Sequence, residues 1–375
     1  MKISIYIHIP FCVRKCLYCD FLSFSATADV YETYVNALIK EIIYRSPDYF
    51  EYEVESIFFG GGTPSILPGK DIRRIMDTIN THYDVSPNCE TTIEINPGTV
   101  TEFDGKLDEY KACGINRLSI GLQSANDSEL RALGRIHTVA DFEKLWSMVH
   151  MKGFNNCNID IMSAVHTQTV ESYLNTLEYI CSLEDRPTHI SAYSLIVEEN
   201  TPYATMKLSL PSEDDERRMY SLTKEKLSKF GYRRYEISNY ALPGYECYHN
   251  TVYWKRGNYV GFGLGASSMV ENIRWKDTPY LQNYIDEDFN HFECEVLSRE
   301  SQMEEFMFLG LRMSEGVTVS EFENYFNKSF PKQYFDVVEK YKKLGLIEVY
   351  NNDRIMLTDE GISVSNIIFS DFLID

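Results

Sequence analysis

Tyr6-Ile-His-Ile-Pro-Phe-Cys12-Val-Arg-Lys-Cys16-Leu-Tyr-Cys19-Asp20-Phe21 continues an apolar, β-branched run that begins at Ile3, and it places three cysteines on the loop that follows. The spacing, C-x3-C-x2-C, lets three thiolates converge on one metal centre and leaves a four-position site one ligand short. An open position implies chemistry. A structural zinc knot with His8 nearby is the other reading, but His8 sits inside the strand and closed zinc sites usually take their ligands as two separated pairs.

Outward from this loop, short apolar runs alternate with amphipathic segments. Strands are expected at residues 3–9, 54–59, 91–96, 117–123, 156–163, 189–195 and 233–239, and helices at 29–44, 70–82, 102–112, 141–152, 169–183 and 213–230. Asp29-Val-Tyr-Glu32 and Ser212-Glu-Asp-Asp215 read as helix starts, and Gly114, Gly153 and Gly231 as stops. Repeated βα units predict an α/β fold with a parallel sheet and right-handed crossovers. In such sheets chemistry gathers at the C-terminal strand ends. The polar signals fall there: the cysteine loop, Gly60-Gly-Gly-Thr-Pro64, Glu94-Ile-Asn-Pro97, Gln123 and Asp160. Singly each reads as a turn, a cap or a surface residue. Together they point at one rim.

Composition narrows the function. A net charge of −20 over 375 residues argues against a broad nucleic-acid or anionic-membrane surface. Cys89, Cys113, Cys157, Cys181, Cys247 and Cys294 are scattered singly, unlike a secreted disulfide scaffold, so a cytoplasmic protein is expected. The run 3–9 is too short for a signal peptide, and no apolar run reaches the roughly 18 residues of a membrane span.

The cysteine motif and Gly60–Pro64 together resemble the radical S-adenosylmethionine (SAM) family, in the HemN/HemW branch of oxygen-independent coproporphyrinogen III oxidases and haem chaperones. The resemblance implies a partial (β/α)6-type, TIM-like barrel in which Cys12, Cys16 and Cys19 hold a 4Fe-4S cluster. SAM would chelate the fourth iron, and one electron into its sulfonium would release a 5′-deoxyadenosyl radical. By the same resemblance Tyr6, Tyr18, Gly61, Gly62, Thr63 and Glu94 contact SAM. Gln123, Arg135 and Asp160 match positions that meet a second SAM in the oxidase.

Within the branch the oxidase would call for a long N-terminal extension and a fourth cysteine, where this chain has eleven residues before Cys12 and carries Phe21. His189–Pro202 and the motif His249-Asn250-Thr-Val-Tyr253-Trp254 are similar to the chaperone pattern. That motif implies haem contact by His249, Asn250, Tyr253 and Trp254, with Lys255 and Arg256 able to meet propionates. Its bland reading is a packed loop with a satisfied histidine. The expected function is a haem chaperone that binds cluster and SAM and hands haem to acceptor proteins. The alternative is oxidative decarboxylation of coproporphyrinogen III, with a porphyrinogen as substrate.

One segment departs from the branch. Asp160 is followed by Ile-Met-Ser-Ala164-Val165-His166-Thr in place of an aromatic-Gly-Leu-Pro turn, which predicts a reshaped rim with His166 exposed on a loop. The expected layout is a barrel over 1–240, a connecting segment over 241–300 with the haem motif, and a winged-helix-like domain over 301–375. In the tail, helices are expected at 302–313, 320–326 and 334–344, with a hairpin around Asn351-Asn-Asp353. Its acidity argues against DNA reading. It is expected to cover the barrel mouth as a lid or partner platform, with Gly257–Ser267 packing beside the rim.

Overall fold

Six strands, β1 (Lys2–Ile9), β2 (Glu53–Gly61), β3 (Asp84–Ile95), β4 (Arg117–Gln123), β5 (Cys157–Ser163) and β6 (His189–Ser194), lie side by side in chain order. All five pairings are parallel in the computed structural model, which describes residues 1–101 and 105–374. Helices Ala28–Arg45, Gly69–His82, Lys106–Ala112, Val139–Met151, Val170–Ser182 and Glu213–Lys229 follow them in turn. The first three residues expected in the 102–112 helix lie outside the described residues.

The strands alternate in an inverted sense. Ile5, Ile7, Phe59, Ile93, Ile120, Ile159 and Ile190 are fully buried in the main core that the helices share. The residues between them, Tyr6, Phe58, Glu94, Ser119, Asp160 and Ser191, line an internal cavity. Period-two alternation therefore puts apolar side chains outside against helices and polar ones inside. The sheet curls until the ends of all six strands surround that interior, giving the expected partial barrel.

At one edge the expected seventh strand, 233–239, is absent. Two short pieces replace it: β7 (Arg233–Arg234) and β8 (Asn239–Ala241), with β8 antiparallel to β6. The Glu236 carboxylate accepts from Ser238 N (2.9 Å) and the Asn239 amide (2.5 Å), which turns the chain back where a strand would continue. At the other edge the sheet grows by four strands. β9 (Tyr259–Phe262) runs parallel to β1, and β10 (Ser267–Val270), β11 (Ile273–Lys276) and β12 (Glu293–Val296) follow antiparallel. Residues expected to be rim packing are thus partly sheet.

The helix start expected at Asp29 also shifts. Thr27 is the capping position and Asp29 lies in the first turn, where a carboxylate still favours the helix dipole. Ser212 caps as expected, accepting from Asp215 N at 3.2 Å.

The C-terminal segment packs helices Arg299–Gly310, Val319–Phe326 and Phe330–Lys343 with a small sheet, β13 (Val317–Thr318), β15 (Arg354–Leu357) and β14 (Ile347–Tyr350). Phe322, Phe326, Phe330, Tyr334 and Ile355 form a core of their own. Ile362 and Ser363 of this segment line a cavity with Ser163 and Ser194, at the C-terminal ends of β5 and β6. Tyr220 and Ile237 pack on its core, Asp359 pairs with Lys224 and Arg234, and Glu315 pairs with Lys255. It packs against helix Glu213–Lys229 through Tyr220 and reaches Arg256 and Arg274 through Glu305.

Candidate functional site

The cysteine loop leaves β1 at Pro10 and is closed where Phe11 bridges Phe24. Cys12 N donates to Phe24 O (3.0 Å) and Phe24 N to Pro10 O (2.8 Å). Leu17 is pinned midway, its N–H on Leu133 O and its carbonyl receiving Tyr203 N, both at 3.1 Å. His8 points inward from β1, with Nε2 2.9 Å from Leu22 O and Nδ1 3.1 Å from the Tyr6 hydroxyl. Both ring nitrogens are engaged, so His8 ties down the loop and is no zinc ligand. Among the described residues no three His, Cys, Asp or Glu side chains gather tightly enough for one metal ion.

The three thiols instead face a cavity of about 350 Å³. Tyr18, Gly61, Gly62, Thr63, Glu94, Gln123, Arg135 and Asp160 line it too, so every residue expected to meet SAM converges there except Tyr6, which lines the adjoining cavities. Thr63 Oγ1 lies 3.5 Å from Cys12 Sγ, and Arg135 Nη1 lies 3.6 Å from Cys16 Sγ. Donors aimed at sulfur stabilise thiolate charge. Three thiols spread around a space larger than one ion, two of them with such donors, fit a multi-iron cluster held by three cysteines.

The glycines explain why the second strand can end beside that loop. Gly62 N donates to Ile9 O at 2.8 Å, and a Cβ there would sit 2.7 Å from the Phe11 carbonyl oxygen. Gly61 has φ +113°, and a Cβ on it would meet the His8 ring at 2.6 Å. We expect Gly62→Ala to lower stability by about 1–3 kcal/mol, since backbone must move to admit the methyl. Urea unfolding checks this, and an unchanged midpoint would refute it.

Electrostatics set the cavity floor. Burial, and then the neighbouring Asp160, pushes Glu94 up to about 8. Asp160 is raised by burial against hydrogen bonds from Asn158, Ser191 and Ser119. Glu94 is thereby held toward its neutral form until a cationic group approaches. Gln123, with φ +69°, and the partly buried Arg135, which donates to Gly121 O at 2.9 Å, belong to this wall and not to the surface.

The departing segment keeps Asp160 in place. Ala164 (φ +58°) and Thr167 (φ +67°) adopt left-handed conformations without glycine. Gln168 buttresses the turn, accepting from Val165 N at 3.3 Å and donating to Glu129 at 2.9 Å. His166 accepts Ser209 N at 2.9 Å and pins a loop; it is not an open rim histidine.

The motif 249–254 forms the helix Tyr248–Trp254, set under the N-terminal ends of β2 to β4. Tyr248 N and His249 N donate to the Glu90 carboxylate at 3.2 and 3.1 Å. His249 is 1% exposed, with Nδ1 on Ser56 Oγ and Nε2 on the Tyr253 hydroxyl, each at 2.8 Å. Burial, and then Arg117, pushes its imidazole down to about 3. His249 still lines a cavity of about 190 Å³ with Asn250 and Tyr253; both ring nitrogens are engaged at its edge, and the imidazole orients Tyr253. The i,i+4 spacing of these two residues carried that signal.

The residues that follow in the motif are held by charged partners. Trp254 lies under the Arg312 guanidinium, 4.4 Å from its ring centre. Lys255 and Arg256, expected to meet propionates, are paired with Glu315 and Glu305. Asn250 and Tyr253 face the same cavity as His249. Tyr253 also walls a cavity of about 370 Å³ with Tyr6, His8, Phe21, Leu22 and Tyr259. Among the described residues no helix is long and apolar enough to cross a membrane.

Comparison with known proteins agrees with this geometry. Residues 6–180 match the radical SAM superfamily and residues 297–364 the HemN C-terminal domain. The chain is 37% identical to a Lactococcus lactis protein named heme chaperone HemW, over 99% of this chain and 97% of that one. It is 33% identical to the Bacillus subtilis protein of the same name, over 99% of both. The solved structure of HemN, the coproporphyrinogen III oxidase of Escherichia coli, superposes with a TM-score of 0.86 at 24% identity, covering 99% of this chain and 89% of that one. That likeness establishes the fold.

Proposed function

The chain belongs to the radical SAM superfamily, in the HemN/HemW branch, and from that premise we propose that it is a haem chaperone, binding haem and passing it to acceptor proteins. Family membership implies a 4Fe-4S cluster and SAM. Cys12, Cys16 and Cys19 are the residues to hold the cluster, which supplies a low-potential electron when bound. Tyr18, Gly61, Gly62, Thr63 and Glu94 would orient SAM at its open position, with Gln123, Arg135 and Asp160 on the facing wall. Nine free cysteines support a reducing, cytoplasmic setting.

The observation that carries the haem reading is the aromatic-walled cavity bounded by Tyr6, Tyr253 and Tyr259, which shares Phe21, Gly61 and Glu94 with the cysteine cavity. Flat rings on one side and a reducing cofactor on the other suit a tetrapyrrole. His249, Asn250 and Tyr253 line the adjoining floor cavity and supply the motif's contact, with His249 also holding Tyr253 in place.

Anaerobic haem titration of the cluster-loaded protein tests this. His249→Ala should weaken binding roughly ten-fold or more, because it frees the Tyr253 hydroxyl and opens the floor. Tyr253→Phe separates roles: a similar loss assigns the contact to the hydroxyl, and full retention assigns it to the imidazole. Unchanged affinity in both variants would remove the motif from the haem site, and a wild type that binds no haem would overturn the reading.

A further inference from the structure

Arg117 opens β4 at the base of the barrel interior, where it is 2% exposed and among the largest fully buried residues. Its guanidinium cannot shed its charge and carries five N–H donors. Among the described residues it makes no hydrogen bond or ion pair, and its Nε is shut away from solvent. Other buried arginines are served: Arg256 by Glu305, Arg234 by Asp359, Arg135 by Gly121 O. Leaving a buried charge unpaired is costly enough that native proteins avoid it.

The nearby acids are already committed. Glu90 receives Tyr248 N, His249 N and the Cys247 thiol. Asp160 receives Ser119 and Asn158. Both attract Arg117 without pairing with it. What the guanidinium does face is a cavity of about 190 Å³ that it lines with Ser119, Asn158, Ser191 and Asn250.

We propose that Arg117 seats a ligand carboxylate that reaches the barrel floor from the larger cavities above. A planar guanidinium fork matches a carboxylate in two parallel bonds. The space is below the usual size of a whole ligand site, roughly 300–1,000 Å³. It is continuous with the aromatic cavity through Tyr6, Glu94 and Tyr253, and with the cysteine cavity through Ser119, Asp160 and Tyr193. The occupant is therefore the acidic arm of a larger molecule. Two ligands bring one: a propionate of haem, in which case the inference rests on the chaperone reading, or the methionine carboxylate of a second SAM that is not held on the cluster. Glu94 lines the same cavity, and its rise to about 8, chiefly by burial, lessens its repulsion of such an arm.

Anaerobic titrations of cluster-loaded wild type, Arg117→Lys and Arg117→Gln with haem, haem dimethyl ester and SAM decide it. One acidic ligand should lose roughly ten-fold or more in Arg117→Gln and less in Arg117→Lys, which keeps charge but not the fork. A loss for haem that the ester does not share identifies the propionate, and a loss for SAM identifies the methionine. Affinities for haem and SAM both unchanged in Arg117→Gln would overturn the proposal. If that variant does not fold, Arg117→Lys carries the test by the same criterion. A wild type that binds no haem overturns the chaperone reading, while the SAM arm still decides Arg117.

Discussion

Replacing Cys12, Cys16 and Cys19 together by alanine is expected to take bound iron and acid-labile sulfide to background after anaerobic reconstitution, and to remove the broad visible absorption of a cluster. The fold should survive. The loop is held by contacts that owe nothing to sulfur: the Phe11–Phe24 bridge, Leu17 between Leu133 and Tyr203, and His8 on Leu22 O. Cys16 and Cys19 are only partly buried, so truncating them removes little core. Metal analysis, sulfide assay and far-UV circular dichroism on the same sample separate loss of the cluster from loss of the fold. Iron and sulfide retained in the triple variant would refute the assignment. Zinc without sulfide in the wild type would revive the structural-knot reading of the same spacing.

Single variants should be graded by what each sulfur meets. Cys12 and Cys16 receive Thr63 and Arg135, whereas burial pushes the Cys19 thiol up with a backbone contact from Phe21 as its main relief. A metal must displace that proton before the thiolate can bind. Loading at Cys19 should therefore gain as pH rises, which cluster absorption after reconstitution at a series of pH values checks.

What was legible in the sequence was what local chemistry dictates. The cysteine spacing, the glycine-rich strand end and the polar residues at the ends of β3, β4 and β5 all meet in one cavity. The signal was strong because each is anomalous where it stands: thiols after a strand, three consecutive glycines, a carboxylate in an isoleucine run. The polar lining of the barrel was written in the sequence too, as Ser4-Tyr6-His8, Ser119-Gly121-Gln123 and Asn158-Asp160, but these runs read as apolar strands when only their isoleucines are counted.

Long-range features were not legible. β9 to β12 are four residues each, and nothing local says that β9 must seek β1 across the length of the barrel. Residues 233–239 carry a good strand pattern, yet the Glu236 carboxylate captures the next two residues and breaks it. The motif 249–254 announced a histidine and two aromatics, but how the imidazole is held at the edge of its cavity depends on Ser56 and Glu90, roughly 160 to 190 residues away in sequence. Arg117 reads as the ordinary start of a strand, and only the closed interior shows that no partner awaits it.

The same long-range packing makes Glu305 the residue on which the position of the haem motif depends. It projects from helix Arg299–Gly310 to receive Arg256 Nε at 3.0 Å and Arg274 Nη2 at 2.6 Å. Arg256 lies two residues past the end of the motif helix and Arg274 lies in β11, so one carboxylate joins the C-terminal segment, the barrel floor and the added strands. The side chains of Arg256 and Glu305 are only 5% and 8% exposed. Glu305→Ala should therefore destabilise the protein by about 3–5 kcal/mol, since it leaves Arg256 buried and without its anion. Glu305→Gln should cost less, because its amide oxygen still accepts from one guanidinium. The Lys255–Glu315 pair, about half exposed on both sides, is the control, and Lys255→Ala should change stability by about 1 kcal/mol or less. Urea unfolding of the three variants gives the comparison, and a Glu305→Ala effect no larger than that of Lys255→Ala would mean the buried pair is not the clamp. If it is, the loss should extend to haem titration, because Tyr253 is carried on the helix that Arg256 follows.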